Sequence, residues 1–123
     1  MPKILIIDDS PTIVEMARVV LEEAGYEVLK AQDGQEGLES ARKEKPDIII
    51  LDVMLPKMDG YNVCRMLKFD DKHKNIPIIM FTAKTSLEDE KTAKEVGANG
   101  FLTKNFDPNQ LLDVVKKHLE GKV

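Results

Sequence analysis

The sequence predicts an α/β protein built on a parallel sheet with helices on both faces. Five short apolar segments alternate with five stretches of helical periodicity, and a strand-then-helix repeat calls for parallel strands joined by helical crossovers. Three of those segments are apolar without alternation, the pattern of strands buried on both faces.

The segments of strand length and composition are KILII (3–7), YEVLK (26–30), DIIIL (47–51), IPIIMF (76–81) and NGFLT (99–103). The first, third and fourth are continuously apolar and belong in the centre. YEVLK alternates and NGFLT is weak, so both are expected at edges. Between the first two, Ile13, Met16, Ala17, Val20, Leu21 and Ala24 recur at helical spacing. Ser10 followed by Pro11 supplies an N-cap and a first-turn proline, and Gly25 is placed to end that helix. Asp33 can cap a second helix running through Leu38 and Ala41 and stopped by Pro46. Val63, Met66 and Leu67 define a third after Asp59-Gly60, and Ser86 can cap a fourth. Asp107-Pro108 opens a fifth, with Leu111, Leu112, Val115 and Leu119 on one face and Gly121 beyond it. In the fourth helix, SLEDEKTAKEVGA, only Leu87, Ala93 and Val96 offer apolar anchoring. That helix is expected to dock loosely and to shift most easily.

A chain of 123 residues supports one domain, 1–123, with one real core. Hydrophobic content of 42%, charged content of 33% and a net charge of −4 describe a soluble globular protein. The negative balance argues against nucleic acid or an anionic membrane as the main partner, since both demand a basic face. Lys91, Lys94, Lys116 and Lys117 read as solvated helix faces. The single cysteine, Cys64, cannot form an internal disulfide and reads as a small buried hydrophobe. The N-terminal MPKILIIDDS has an apolar run of four residues closed by two acids, too short for a signal peptide or membrane span. A cytoplasmic location is the expectation. Met16, Met66 and Met80 are expected in the core, and His73 and His118 at the surface.

In open parallel sheets, ligands bind beyond the carboxyl ends of the strands where strand order reverses. The first strand ends in Asp8-Asp9, the third in Asp52, the fourth near Thr82 and the fifth at Thr103-Lys104. Were the first, third and fourth strands adjacent, three carboxylates, a hydroxyl and an ammonium would converge. Three carboxylates at such range cannot all ionise without a counter-charge, so a proton or a cation is required. Oxygen ligands without nearby His or Cys suit Mg²⁺ or Mn²⁺, completed by water. The plainer alternative is that each Asp only caps a loop or helix. Asp52 follows Ile48, Ile49, Ile50 and Leu51 without a break, and carboxylates are rarely buried unless paired.

The ordered set of paired acids, then Asp52 in LDVMLPKMDG, then FTA, then Lys104 resembles the receiver domain of bacterial two-component response regulators, chemotaxis-receiver-like and single-domain. Asp52, Pro56 and Gly60 meet its Asp-x-x-x-Pro-x-x-x-Gly pattern, and the resemblance spans essentially the whole chain. It implies a flavodoxin-like (βα)5 three-layer sandwich with strand order 2-1-3-4-5. By resemblance Asp52 is the phospho-acceptor, attacking the phosphorus of a phosphohistidine on a sensor histidine kinase or phosphotransfer protein. Asp9, Asp52 and the backbone carbonyl of Met54 would ligate Mg²⁺ (Mn²⁺ as a substitute), with Asp8 acting through water. Phosphoryl transfer needs in-line positioning and neutralised equatorial oxygens. Lys104 and Mg²⁺ would supply positive charge, and Thr82 a hydrogen bond. Thr82 and Phe101 would form the switch, altering the surface of helix four, strand five and helix five for a downstream target protein. Phe101 could equally be a plain core or surface residue.

The resemblance further implies a chain that catalyses its own phosphorylation and slow dephosphorylation rather than turning over external substrates. A stand-alone monomer, or a weak phosphorylation-dependent dimer, without a DNA-binding output domain is the expectation. Met54 and Lys84 would flank the phosphoryl group, Met54 screening water, although Met54 could also simply pack its loop. One departure is Asn105, where the family has proline after the lysine. Cis geometry before a non-proline costs ~2.5–4 kcal/mol, so Lys104–Asn105 is expected to be trans. Competing functions are a pseudo-receiver that only binds proteins and an aspartyl-phosphate phosphatase of the haloacid dehalogenase type. The phosphatase would need a general acid where Met54 stands. Nucleotide-binding glycine motifs are absent.

Overall fold

The computed structural model describes residues 1–82 and 87–120, the side chains of residues 87–89 and 120 excepted. Lys84, the Ser86 cap, the Leu87 anchor and the Gly121 stop lie outside the described residues. The elements are β1 (Lys3–Ile7), α1 (Pro11–Glu23), β2 (Glu27–Ala31), α2 (Gly34–Glu44), β3 (Ile48–Asp52), α3 (Gly60–Lys68), β4 (Ile78–Thr82), α4 (Leu87–Glu95), β5 (Gly100–Thr103) and α5 (Pro108–Glu120). All neighbouring strands pair in parallel in the order β2-β1-β3-β4-β5, so the three continuously apolar strands are central and the two polar ones are edges.

The apolar runs serve two cores. Leu5, Ile7, Ile49, Leu51, Ile78 and Met80 join Leu38, Ala41, Val63, Cys64, Leu67, Ala93 and Val96 on the α2–α3–α4 side. Ile4, Ile6, Ile48, Ile50, Ile79 and Phe81 join Val14, Ala17, Leu21, Leu111 and Val115 on the α1–α5 side. Successive residues point to opposite faces, which is why alternation is missing from these strands. At roughly 1.5–3 kcal/mol per buried aliphatic side chain, the two cores make the sheet the rigid part of the molecule.

Local signals bound α1, α2, α3 and α5. Ser10 accepts from the Ile13 N–H with Pro11 in the first turn of α1. Gly25, at φ +94°, closes α1 in a Schellman arrangement: its N–H donates to Glu22 O and that of Tyr26 to Leu21 O. Asp33, Asp59 and Asp107 cap α2, α3 and α5. Cys64 is fully buried, and desolvation pushes its thiol up to about 11.

Three expectations need correction. Met16 is 51% exposed and Met66 41%, while Met80 is buried as expected. Both exposed methionines sit at the margin of the helix stripe, where helical periodicity alone cannot tell flank from centre. His73 is 5% exposed rather than on the surface, because the turn after α3 folds back and brings its Nδ1 to 2.7 Å from Asp70 Oδ2. His118 is half-buried, its ring nitrogens 2.8 Å from Val114 O and 3.0 Å from Asn99 O. Strand limits also move by a residue or two: β2 runs to Ala31, β3 takes in Asp52, and β4 begins at Ile78, after Pro77.

Candidate functional site at the carboxyl edge of the sheet

Strand order reverses between β1 and β3, whose last paired residues are Ile7 and Leu51. Asp8 follows β1 directly, Asp52 ends β3, and Thr82 ends β4 beside Thr103 of β5. Parallel registration therefore delivers all of these to one edge. Among the described residues, Asp8, Asp9 and Asp52 form an acidic group in which one carboxylate oxygen from each lies within 4.8 Å of the others. Asp8 and Asp52 are buried and Asp9 is exposed.

The two buried carboxylates are each held by backbone. The Ser10 N–H donates to Asp8 Oδ1 at 2.9 Å, and the Met54 N–H to Asp52 Oδ1 at 3.2 Å. The remaining oxygens face Lys104, whose Nζ lies 3.0 Å from Asp8 Oδ2 and 3.1 Å from Asp52 Oδ2. Lys104 is carried there by β5: its N–H donates to Thr82 O at 2.7 Å, and its ammonium lies 5.9 Å from the Phe81 ring centroid. Phe81 in turn packs on Phe106 with centroids 5.5 Å apart. Among the described residues every peptide bond is trans. Asn105 in place of proline therefore leaves Lys104 in reach of both acids.

Desolvation first, and then repulsion from Asp8, raises the Asp52 carboxyl above the ordinary carboxylate range, against the pull of Lys104 and the Met54 N–H. Burial opposes the charge on Lys104, but contacts with Asp8 and Asp52 outweigh it and hold its ammonium above the usual lysine range. Among the described residues, the Lys104 ammonium pairs with two of the three carboxylates. Asp8 Oδ2 and Asp52 Oδ2 are buried and share the Lys104 ammonium. Three clustered carboxylates, two of them buried on one shared ammonium, fit a hard divalent cation, so the donor set suits Mg²⁺.

The chain matches the response regulator receiver domain family over residues 4–116. It belongs to that family. The receiver is 44% identical over 116 residues to the DNA-binding dual master transcriptional regulator RpaA of Synechocystis, covering 94% of this chain and 48% of RpaA. It thus spans about half the length of that relative. It is 39% identical over 121 residues to protein PilH of Pseudomonas aeruginosa, covering 98% of this chain and all of PilH. A response regulator structure from Chloroflexus aurantiacus superposes with a TM-score of 0.93 at 40% identity, covering 97% of this chain and 98% of that one. The receiver is accordingly a phospho-accepting signalling domain of two-component systems. Receiver domains bind Mg²⁺ through acidic residues and interact with kinases and downstream targets.

Three further residues near the site take their physical meaning from the fold. Gly60 brings α3 against Asp52: a Cβ there would collide with the Asp52 carbonyl oxygen and lie 2.9 Å from its carbon. The Asp-x-x-x-Pro-x-x-x-Gly pattern names Gly60, but only the fold gives its reason. Met54 is 79% exposed, so its side chain stands in solvent rather than packing the loop. Phe101 is half-buried against the α2–α3–α4 core. It borders a cavity of about 330 Å³ lined also by Glu90, Ala93, Lys94 and Ala98.

Proposed function

We propose that residues 1–123 act as a single phosphorylation-dependent receiver whose acceptor is Asp52. The observation that carries this reading is the convergence of Asp8, Asp9, Asp52 and Lys104 on one strand edge. The phosphodonor is a phosphohistidine on a sensor kinase or phosphotransfer protein. An Asp52 carboxylate oxygen attacks the phosphorus, the P–N bond breaks, the imidazole keeps the electron pair, and an acyl phosphate forms on Asp52. Asp9, Asp52 and the Met54 carbonyl would hold Mg²⁺, with Asp8 acting through water, and the bound cation would supply charge neutralisation for the phosphoryl oxygens.

The chain's own residues do the rest. Asp8 and the Met54 N–H orient the acceptor and its surroundings, while Lys104 exchanges carboxylate contacts for a phosphoryl oxygen. Thr82 donates to the same group, and Phe101 fills the space that Thr82 vacates. The α4–β5–α5 surface then presents a different face to a downstream protein. Sparse anchoring of α4 supports that role: of residues 90–95 only Ala93 is buried.

Incubation with Mg²⁺ and acetyl phosphate, read by intact mass, tests the proposal. One added phosphoryl group is expected, and none in D52N. Continuous release of phosphate from many phosphoesters would mark a hydrolase instead, and an unchanged mass a phosphorylation-independent binding module.

A further inference from the structure

The loop between β3 and α3 carries Met54, and its shape is set from outside by α2. At its middle, Lys57 has φ +69° and the Met58 N–H donates to Pro56 O at 2.8 Å. A positive φ with an i→i+2 hydrogen bond marks a strained γ-turn, which persists only where its surroundings over-determine it. The N-terminus of α2 provides those surroundings. The Gly34 N–H points to the same Pro56 carbonyl at 3.4 Å, and the Lys57 ammonium lies 3.5 Å from Asp33 Oδ2. Asp33 is itself fixed, because its Oδ1 accepts from the Glu36 N–H at 2.8 Å. The contact is close enough to exclude any side chain at position 34. A Cβ there would collide with the Met58 carbonyl oxygen and lie 2.8 Å from Met58 Cβ.

The other ends of the loop are tied to the sheet. The Val53 N–H donates to Phe81 O at 3.1 Å and the Gly60 N–H to Val53 O at 2.9 Å. With both ends pinned, displacement at Met58 has to be taken up between Met54 and Lys57.

From this geometry we infer that Gly34, with the Asp33–Lys57 pair, is a positioning element for the phosphorylation site: it clasps the γ-turn and so sets where the Met54 carbonyl stands. The inference rests on the cation reading proposed above. Gly34 touches no reacting group and acts only through the loop.

The test uses the full chain. In cation-free G34A, the amide resonances of Val53, Met54 and Gly60 shift while those of β1 and α1 stay. Calorimetric Mn²⁺ affinity, measured well below the melting point, falls at least fivefold. Q35A, exposed on the same helix turn, changes neither. A merely structural glycine would lower the melting temperature and leave low-temperature affinity alone. Affinity within twofold of the parent in folded G34A overturns the inference. A parent that takes up no Mn²⁺ overturns the cation reading instead, and the cation-free resonances still report on the clasp. Should G34A not fold, K57G decides. Losing an ammonium near the site would by charge alone strengthen cation binding, so weaker binding in K57G supports the clasp and equal or stronger binding overturns it.

Discussion

Asp52 shows how a carboxylate's surroundings are set by where a strand stops. The four aliphatic residues before it are buried, so the carboxylate inherits a fixed position and a poorly solvated one. Desolvation and the Asp8 charge raise its pKa in the folded chain. A carboxyl whose folded pKa exceeds its unfolded one is destabilising while ionised; the penalty is full above the folded pKa and fades as pH falls through it. In cation-free solution at pH 7, D52N is therefore expected to be more stable than the parent by on the order of 1 kcal/mol. The gain should shrink as pH falls below the folded pKa of Asp52. Urea midpoints across an acid-to-neutral series check this, and a pH-independent gain would mean that the benefit is packing rather than charge. At this scale the sequence was informative where chemistry is unusual for its setting. Acids at strand ends and Lys104 stand out against apolar neighbours. His73 did not, because DDKHKN looks like a solvated loop until the Asp70 contact folds the ring inward. Gly34 and Lys57 gave no warning either, since their roles depend on a close approach between segments distant in sequence.

At the scale of elements, capping residues were the most legible signals, because each acts on backbone within four residues of itself. Ser10, Asp33 and Asp107 all cap as their neighbours imply. Gly25 offers a clean measurement. A Cβ there would meet nothing within 4 Å, so G25A adds no clash and isolates the cost of holding a non-glycine at φ +94°. A loss of about 1–2 kcal/mol is expected, seen as a lower urea midpoint at unchanged slope. No loss would show that the end of α1 can be rerouted without its Schellman bonds. Strand limits were less legible. Composition marks where apolar residues are, whereas pairing decides where a strand begins: the Pro77 carbonyl accepts from the Ile49 N–H, but the first paired residue of β4 is Ile78, and Asp52 is the last of β3. Helix flanks failed for a related reason: Met16 and Met66 share the spacing of the buried stripe, and only the neighbouring helices decide which side of it is covered.

For the whole molecule, a parallel sheet concentrates strand ends, and hence acids, on one edge, while rigidity comes from two cores that lie away from it. The arrangement leaves a site short of positive charge with little freedom to relieve the shortage by moving. A ligand that binds only the folded chain stabilises it by about 2.7 kcal/mol at 100 times its Kd. For a domain of this size that corresponds to a rise in melting temperature on the order of 10 °C. Mg²⁺ or Mn²⁺ is expected to produce such a rise. D9A should erase most of it, because Asp9 is the exposed member of the acidic group, formed with Asp8 and Asp52, that is proposed to hold the cation. Cation-free D9A should melt no lower than the parent, since removing one of three carboxylates relieves repulsion. Differential scanning calorimetry with and without cation distinguishes the cases. An undiminished rise in D9A would move the cation away from this edge, and equal melting of the parent with and without cation would mean that the acids take up no cation and pair, among the described residues, with Lys104.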